Sequence, residues 1–286
     1  MTSMATLLAW QDIFNFDNYG ELLPLVRNSI IAAVFLGVVG GLVGVLVMTR
    51  DLPFAVHGVS ELSFAGASGA LLFGLSVTGG AFVGSVLAAL LIGLLGMRAR
   101  DRNSIIGVLM PFGLGLGILF LSLYQGRAAN KFGLLTGQIV AIDDTALRTL
   151  VVTSIAILVV LAVIWRPLMF ASVDPVMATA RGVPTRVLGL VFMLVLGCAV
   201  AISVQVVGAL LILALLVTPA AAAMRVSASP LLVPLLAVLF ALAAVVGGIL
   251  VSLGTSIPIS PYVTTISFVI YLGCRLLGAS RRAVRS

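Results

Sequence analysis

The chain alternates between long apolar runs and short interruptions made of charge, glycine or proline. A helix crosses the roughly 30 Å hydrocarbon layer in about 20 residues. Runs of about that length recur at 28–48, 52–75, 78–97, 104–124, 149–165, 187–204, 208–224, 231–253 and 261–277. The pattern predicts an all-α fold, a polytopic transmembrane helical bundle of about nine spans forming a single domain over 1–286. The weakest division is at 205–208, where two runs meet without a real loop. One of those two runs is a candidate broken or re-entrant helix, which is tolerated only where protein or a water-filled cavity surrounds it.

Composition agrees with this reading. Hydrophobic residues make up 62% and charged residues 9% of the chain, with a mean hydropathy of +1.29; a soluble domain carries about a quarter charged residues. The net charge of +7 would point to nucleic acid in a soluble protein. Here the basic residues fall mostly singly between apolar runs, as juxtamembrane anchors do, so the partner they imply is the lipid bilayer and no nucleic acid is expected. Cys198 and Cys274 lie in separate apolar runs and read as small buried residues, not as a disulfide or a metal pair.

The segment 1–27 contains Asp12, Asp17 and Glu21 and no basic residue before Arg27, unlike a cleaved signal peptide. Leu7, Leu8, Trp10, Ile13, Phe14 and Phe16 fit an interfacial segment lying against the bilayer; a disordered lead-in fits equally well.

Orientation follows from arginine placement, because loops on the cytoplasmic side hold the excess of Lys and Arg. With the N-terminus outside and the C-terminus in the cytoplasm, twelve of the 16 basic residues face inward, and only Arg27, Arg127, Lys131 and Arg148 face out. That arrangement needs an odd number of spans. Gly37 with Gly41, Gly40 with Gly44, and Gly113 with Gly117 are small residues one turn apart, a device for close helix approach within the chain or in a dimer. Pro111, Pro219 and Pro234 fall inside predicted spans and are expected to kink them or release carbonyls.

Against this apolar background two residues stand out. His57, the single histidine, precedes Glu61 by four positions, a spacing that puts both side chains on one helix face. Asp51 is placed to cap this second span and Pro53 suits its first turn. At 1.5 Å per residue the pair then lies ~9 and ~15 Å beyond Asp51, near the bilayer midplane. An imidazole beside a carboxylate can bind a divalent transition metal, and ionisable groups at membrane depth mark function by default. Read alone, the pair is also compatible with a neutral histidine bonded to Glu61 as intramembrane glue. Zinc takes four donors and manganese up to six, so two donors per chain predict a symmetric homodimer with the ion on its axis.

A second informative segment spans 172–184. Asp174 and Pro175 make a helix start, Gly182 and Pro184 a helix stop, and about two turns fit between them. Such a short cytosolic helix can dock in a groove on a motor protein; an ordinary loop is the plainer alternative. The chain contains no G-x-x-x-x-G-K-[ST] sequence, so nucleotide hydrolysis, if any, belongs to another polypeptide.

These residues together resemble the membrane-embedded permeases of metal-ion ABC importers, which carry zinc, manganese or ferrous iron. The cytosolic pattern D-P-x-x-A-x-x-x-G-[VI]-P is matched by Asp174, Pro175, Ala178, Gly182, Val183 and Pro184, and a block with Gln205, Gly208, Pro219, Ala220 and Ala221 matches the family's later span. Where the family commonly has Asp and then His four residues on, this chain has His57 and then Glu61, the donor set in reversed order. The resemblance implies a homodimer, a cytosolic ABC ATPase dimer docking at the Asp174 helix, and an extracytoplasmic metal-binding protein. It implies a transport subunit of the cell membrane that is not itself an enzyme and has no permanently bound cofactor, Zn2+ or Mn2+ passing through as cargo. The donor set suits either ion, with a lean to zinc. Alternative readings are a permease for a metal chelate or vitamin complex, an ATPase-independent metal channel, and an intramembrane enzyme using the pair as acid and base.

Overall fold

The computed structural model describes residues 24, 26–96, 99–126, 142–255 and 259–283, with the side chains of 99–101, 210 and 279–283 outside the description. The proposed interfacial segment therefore lies almost wholly outside the described residues. In lipid each backbone polar group must be satisfied within the chain, and the described residues form helices throughout: α1 (Arg27–Thr49), α2 (Pro53–Leu72), α3 (Val77–Leu95), α4 (Ala99–Leu123), α5 (Asp144–Val173), α6 (Pro175–Ala180), α7 (Thr185–Val207), α8 (Ile212–Leu216), α9 (Thr218–Val226), α10 (Leu232–Leu253) and α11 (Ile259–Ala283), with a single 3₁₀ turn at Ala209–Leu211.

Seven of these are long and apolar enough to cross a membrane: α1, α3, α4, α5, α7, α10 and α11. Two expected spans fall short of that standard for different reasons. Helix α2 has 20 residues, but serines, glycines, His57 and Glu61 dilute its apolar character. The run expected at 208–224 is broken into the 3₁₀ turn, α8 and α9, with Gly208 at φ 87 where α7 ends. The break anticipated from the missing loop is thus present.

Helices α1 and α7 form the centre, with 67% of their apolar windows buried, whereas α4 and α5, at 22%, lie at the periphery. Helix α2 packs against α3 and α4, α1 against α10 and α5, and α7 against α3 and α5. Glycines set these approaches. A Cβ on Gly41 would lie 2.6 Å from the Val238 backbone, one on Gly40 3.3 Å from the Leu215 carbonyl oxygen, and one on Gly44 would overlap the Leu216 carbonyl oxygen. The glycine pairs therefore serve contacts inside the chain.

Helix ends differ from expectation in three places. Asp51 does not cap α2: it is the residue after the C-cap of α1, at φ 55, with Asp51 N donating to Met48 O and Leu52 N to Val47 O. This is the left-handed helix stop usually built on glycine. The N-cap of α2 is Leu52, without a side-chain bond, and Pro53 takes the first turn as expected. Pro219 and Pro234 lie in the first turns of α9 and α10, where a missing N–H is harmless; Pro111 is interior to α4. Helix α5 runs 30 residues, from an N-cap at Asp143 whose carboxylate accepts from Ala146 N, through Pro167, to Val173. Its charged ends had trimmed the apolar run to 149–165.

Hydrogen bonds and close packing sort the helix ends into two sets. Asn28 at the start of α1 donates to Ile142 O and Asp144 at the start of α5, and Thr78 at the start of α3 donates to Gln205 near the end of α7. At the opposite end Arg50, following α1, meets Ser172 in the last turn of α5, Arg102 at the start of α4 meets Asp51, and Gly278 packs on the Arg225 carbonyl.

Candidate functional site

Helix α2 carries the ionisable pair on one face, as its i and i+4 spacing requires. His57 Nε2 lies 3.6 Å from Glu61 Oε1, with side chains 30% and 6% exposed. The separation is longer than a hydrogen bond but within ion-pair contact, so the two groups face each other directly. His57 Nδ1 is buried and has no hydrogen-bond partner, leaving imidazole donor capacity unused. An unpaired nitrogen beside a nearly enclosed carboxylate is chemically suited to a divalent cation.

The surroundings are small and close. Ser60 Oγ turns back to the His57 carbonyl at 2.8 Å, and Ser63 Oγ donates to Ala81 O on α3 at 3.1 Å. Across α2, Gly113 of α4 abuts the Glu61 peptide. Ser68, eleven residues beyond His57 and so on the same helix face, is fully buried with its hydroxyl unpartnered. Among the described residues no group of three or more His, Cys, Asp or Glu side chains gathers in a metal-binding arrangement; one chain supplies the pair alone.

Toward the Thr78 end, Gln205 Oε1 accepts from Thr78 Oγ1 at 3.0 Å while its Nε2 is buried without a partner. Three residues later Gly208 breaks the backbone. The sequence marked Gln205 through its motif and through the weak division at 205–208, and nothing in an isolated threonine at a helix start signalled Thr78.

The predicted short helix exists as α6. Asp174 is both the C-cap of α5 and the N-cap of α6, its Oδ1 accepting from Met177 N at 2.9 Å, and Pro175 occupies the first turn. Ala178 is completely buried against the bundle. Gly182, at φ 78, stops the helix, with Gly182 N donating to Thr179 O and Val183 N to Ala178 O. This bounded turn presents Val176 and Met177 outward, 80% and 48% exposed. Beside it, burial and the Arg102 guanidinium lower the pKa of Arg50. The motif residues at 174–182 are thus all parts of one helix start, one buried contact and one helix stop, and they lie apart in sequence and element from the His57–Glu61 pair.

Known proteins share this architecture. The solved structure of PsaBC from Streptococcus pneumoniae in complex with Fab superposes with a TM-score of 0.79 and 25% identity, over 90% of this chain and 95% of that chain. A manganese transport system membrane protein, MntC, of Halalkalibacterium halodurans is 28% identical over 225 residues, 78% of this chain and 77% of its own length. The manganese import system permease protein ScaB of Streptococcus parasanguinis is 28% identical over 199 residues, 69% of this chain and 71% of its own. Seven apolar helices and these membrane-protein relatives identify a multi-pass protein of the cell membrane. Residues 23–277 match the ABC 3 transport family, and the chain belongs to that family.

Proposed function

We propose that this chain is the membrane-spanning permease subunit of an ATP-driven importer for a divalent transition-metal ion, with manganese as the favoured cargo. Membership of the ABC 3 transport family carries the reading. Relatives named for manganese transport and import favour manganese over the zinc to which the donor set alone leans.

In this reading the chain crosses the membrane nine times, with α2 and the broken segment 208–226 as passes beside the seven apolar helices. The two sets of helix ends support that count, since successive passes then alternate without a stranded end. The Arg50, Ser172 and Arg225 end faces the cytoplasm by the arginine excess, with the N-terminus outside. His57 and Glu61 hold the ion in transit. Because one chain provides two donors, a second copy completes the coordination, and the 30% exposure of His57 leaves the pair open on one side.

Helix α6 docks a cytosolic ATPase dimer through Val176 and Met177, and an extracytoplasmic metal-binding protein delivers the ion. ATP binding must favour one access state over the other for net import. The test is uptake of radiolabelled manganese by the full transporter reconstituted with its ATPase and binding protein, for parent, His57→Ala and Glu61→Ala. Each substitution is expected to reduce uptake by about tenfold or more, the worth of a lost ligand or its support. Parental uptake in both variants removes the pair from the pathway, and preference for a manganese chelate over the free ion replaces the cargo.

A further inference from the structure

At the end of the bundle beside α6, one side chain joins three helices. Arg50 Nη1 donates to Ser172 Oγ at 3.1 Å, and Ser172 Oγ in turn donates to Leu168 O at 2.6 Å within α5. The guanidinium carbon lies 5.7 Å from the centroid of the Phe192 ring on α7. Gly189, one turn earlier on α7, is bare at this point: a Cβ there would lie 3.3 Å from Arg50 Nη2. Among the described residues Arg50 has no carboxylate within ion-pair distance, so charge neutralisation does not explain why a partly buried guanidinium is here.

Connectivity does. Ser172 precedes Asp174 by two residues, and Asp174 is shared between α5 and α6, so no slack separates the short helix from the last turn of α5. On the other side only Asp51 and Leu52 lie between Arg50 and α2. Both are held by the bonds that end α1, and Asp51 O also accepts from Arg102 Nη2 at 3.5 Å. His57 follows Arg50 by seven residues. One side-chain hydrogen bond therefore joins the end of α5 that runs into the docking helix to the end of α1 that runs into the helix carrying the ionisable pair.

We propose that Arg50 is a positioning residue of the transport cycle, passing displacement of α6 to α2 through its bond to Ser172 and its seat on Phe192. The proposal rests on the permease reading above. A planar fork can bond Ser172 and face the Phe192 ring at once, which a lysine ammonium cannot do in the same way.

The experiment uses the complete reconstituted transporter, with Arg50→Gln, Arg50→Lys, Ser172→Ala and the double variant Arg50→Gln/Ser172→Ala. Four quantities are read: co-purification of the ATPase, basal ATP hydrolysis, hydrolysis stimulated by the manganese-loaded binding protein, and ATP consumed per ion imported. In both Arg50 variants, assembly and basal hydrolysis are expected to stay near parental values while ATP per ion rises about tenfold, an ordinary size for coupling between sites. Ser172→Ala shifts the ratio in the same direction by less, and the double variant is no worse than Arg50→Gln alone.

An unchanged ratio in Arg50→Gln, or full function in Arg50→Lys, overturns the proposal. So does a parallel loss of assembly and basal hydrolysis in both Arg50→Gln and Ser172→Ala, which would make the contact merely structural. A parent transporter that imports manganese without ATP overturns the permease reading itself; an ATP-driven parent with unaffected Arg50 variants overturns only the role of Arg50.

Discussion

Gly113 backs directly onto the peptide of Glu61: a Cβ added at Gly113 would lie 2.9 Å from the Glu61 carbonyl carbon and 2.8 Å from Leu62 Cδ1. Backbone cannot retreat as a side chain can, so Gly113→Ala must part α4 from α2. Overpacking of this kind costs about 1–3 kcal/mol, and here it displaces the carboxylate that faces His57. The expected outcome is a lower thermal midpoint in detergent together with reduced manganese uptake. Gly107, two turns earlier on α4, has nothing within 4 Å of its added Cβ, so Gly107→Ala should be neutral or stabilising by up to about 1 kcal/mol. Equal behaviour of the two variants would count against the close approach.

The order of the donors is open to direct test. If His57 and Glu61 act as one donor set on a shared face, the double variant His57→Glu/Glu61→His keeps both donors one turn apart. It should import manganese measurably faster than either His57→Ala or Glu61→Ala. It should fall short of the parent, because the swap moves the imidazole from a 30% exposed position to a 6% exposed one. A double variant as inactive as the single ones would show that each position demands its own side chain.

The cap on α6 separates shape from charge. Asp174→Ala removes the acceptor for Met177 N and should weaken this helix start by about 1 kcal/mol. Asp174→Ser keeps a capping oxygen without the charge. Retention of ATPase co-purification and uptake by Asp174→Ser, with reductions in Asp174→Ala, is the expected pattern. Losses of equal size in both would instead assign the role to the negative charge.

Two positive-φ positions should respond in opposite directions. Asp51 sits at φ 55 where glycine is the usual occupant, so Asp51→Gly should raise stability by up to about 1 kcal/mol. Gly208, at φ 87 and ψ 156, occupies a region essentially restricted to glycine, so Gly208→Ala should destabilise by about 1–3 kcal/mol. Thermal unfolding in a single detergent, followed by intrinsic tryptophan fluorescence, measures both signs; shifts in the same direction would refute the backbone assignment.

Much of the bundle was legible because lipid leaves the chain few choices. Runs of apolar residues had to become helices, and the missing loop at 205–208 announced the break that Gly208 makes. Asp174, Pro175 and Gly182 predicted α6 because capping chemistry is local. Asp51 misled for the same reason: an aspartate before Pro53 reads as a helix start, while the bonds that end α1 claim it first. The partners of His57 and Glu61 were readable only as a spacing. Gly113 behind Glu61, Thr78 beside Gln205 and Ser172 under Arg50 are pairings between residues 52 to 127 positions apart, and no local pattern encodes them.

The approach of Gly40 and Gly44 to the carbonyl oxygens of Leu215 and Leu216 limits which parts of the bundle can move. Those oxygens belong to a segment with an interrupted helical ladder, and α1 packs directly on them. Separating the two would give up backbone packing at the centre of the bundle. The first helix and the fractured one are therefore expected to travel as one body in any rearrangement of the bundle.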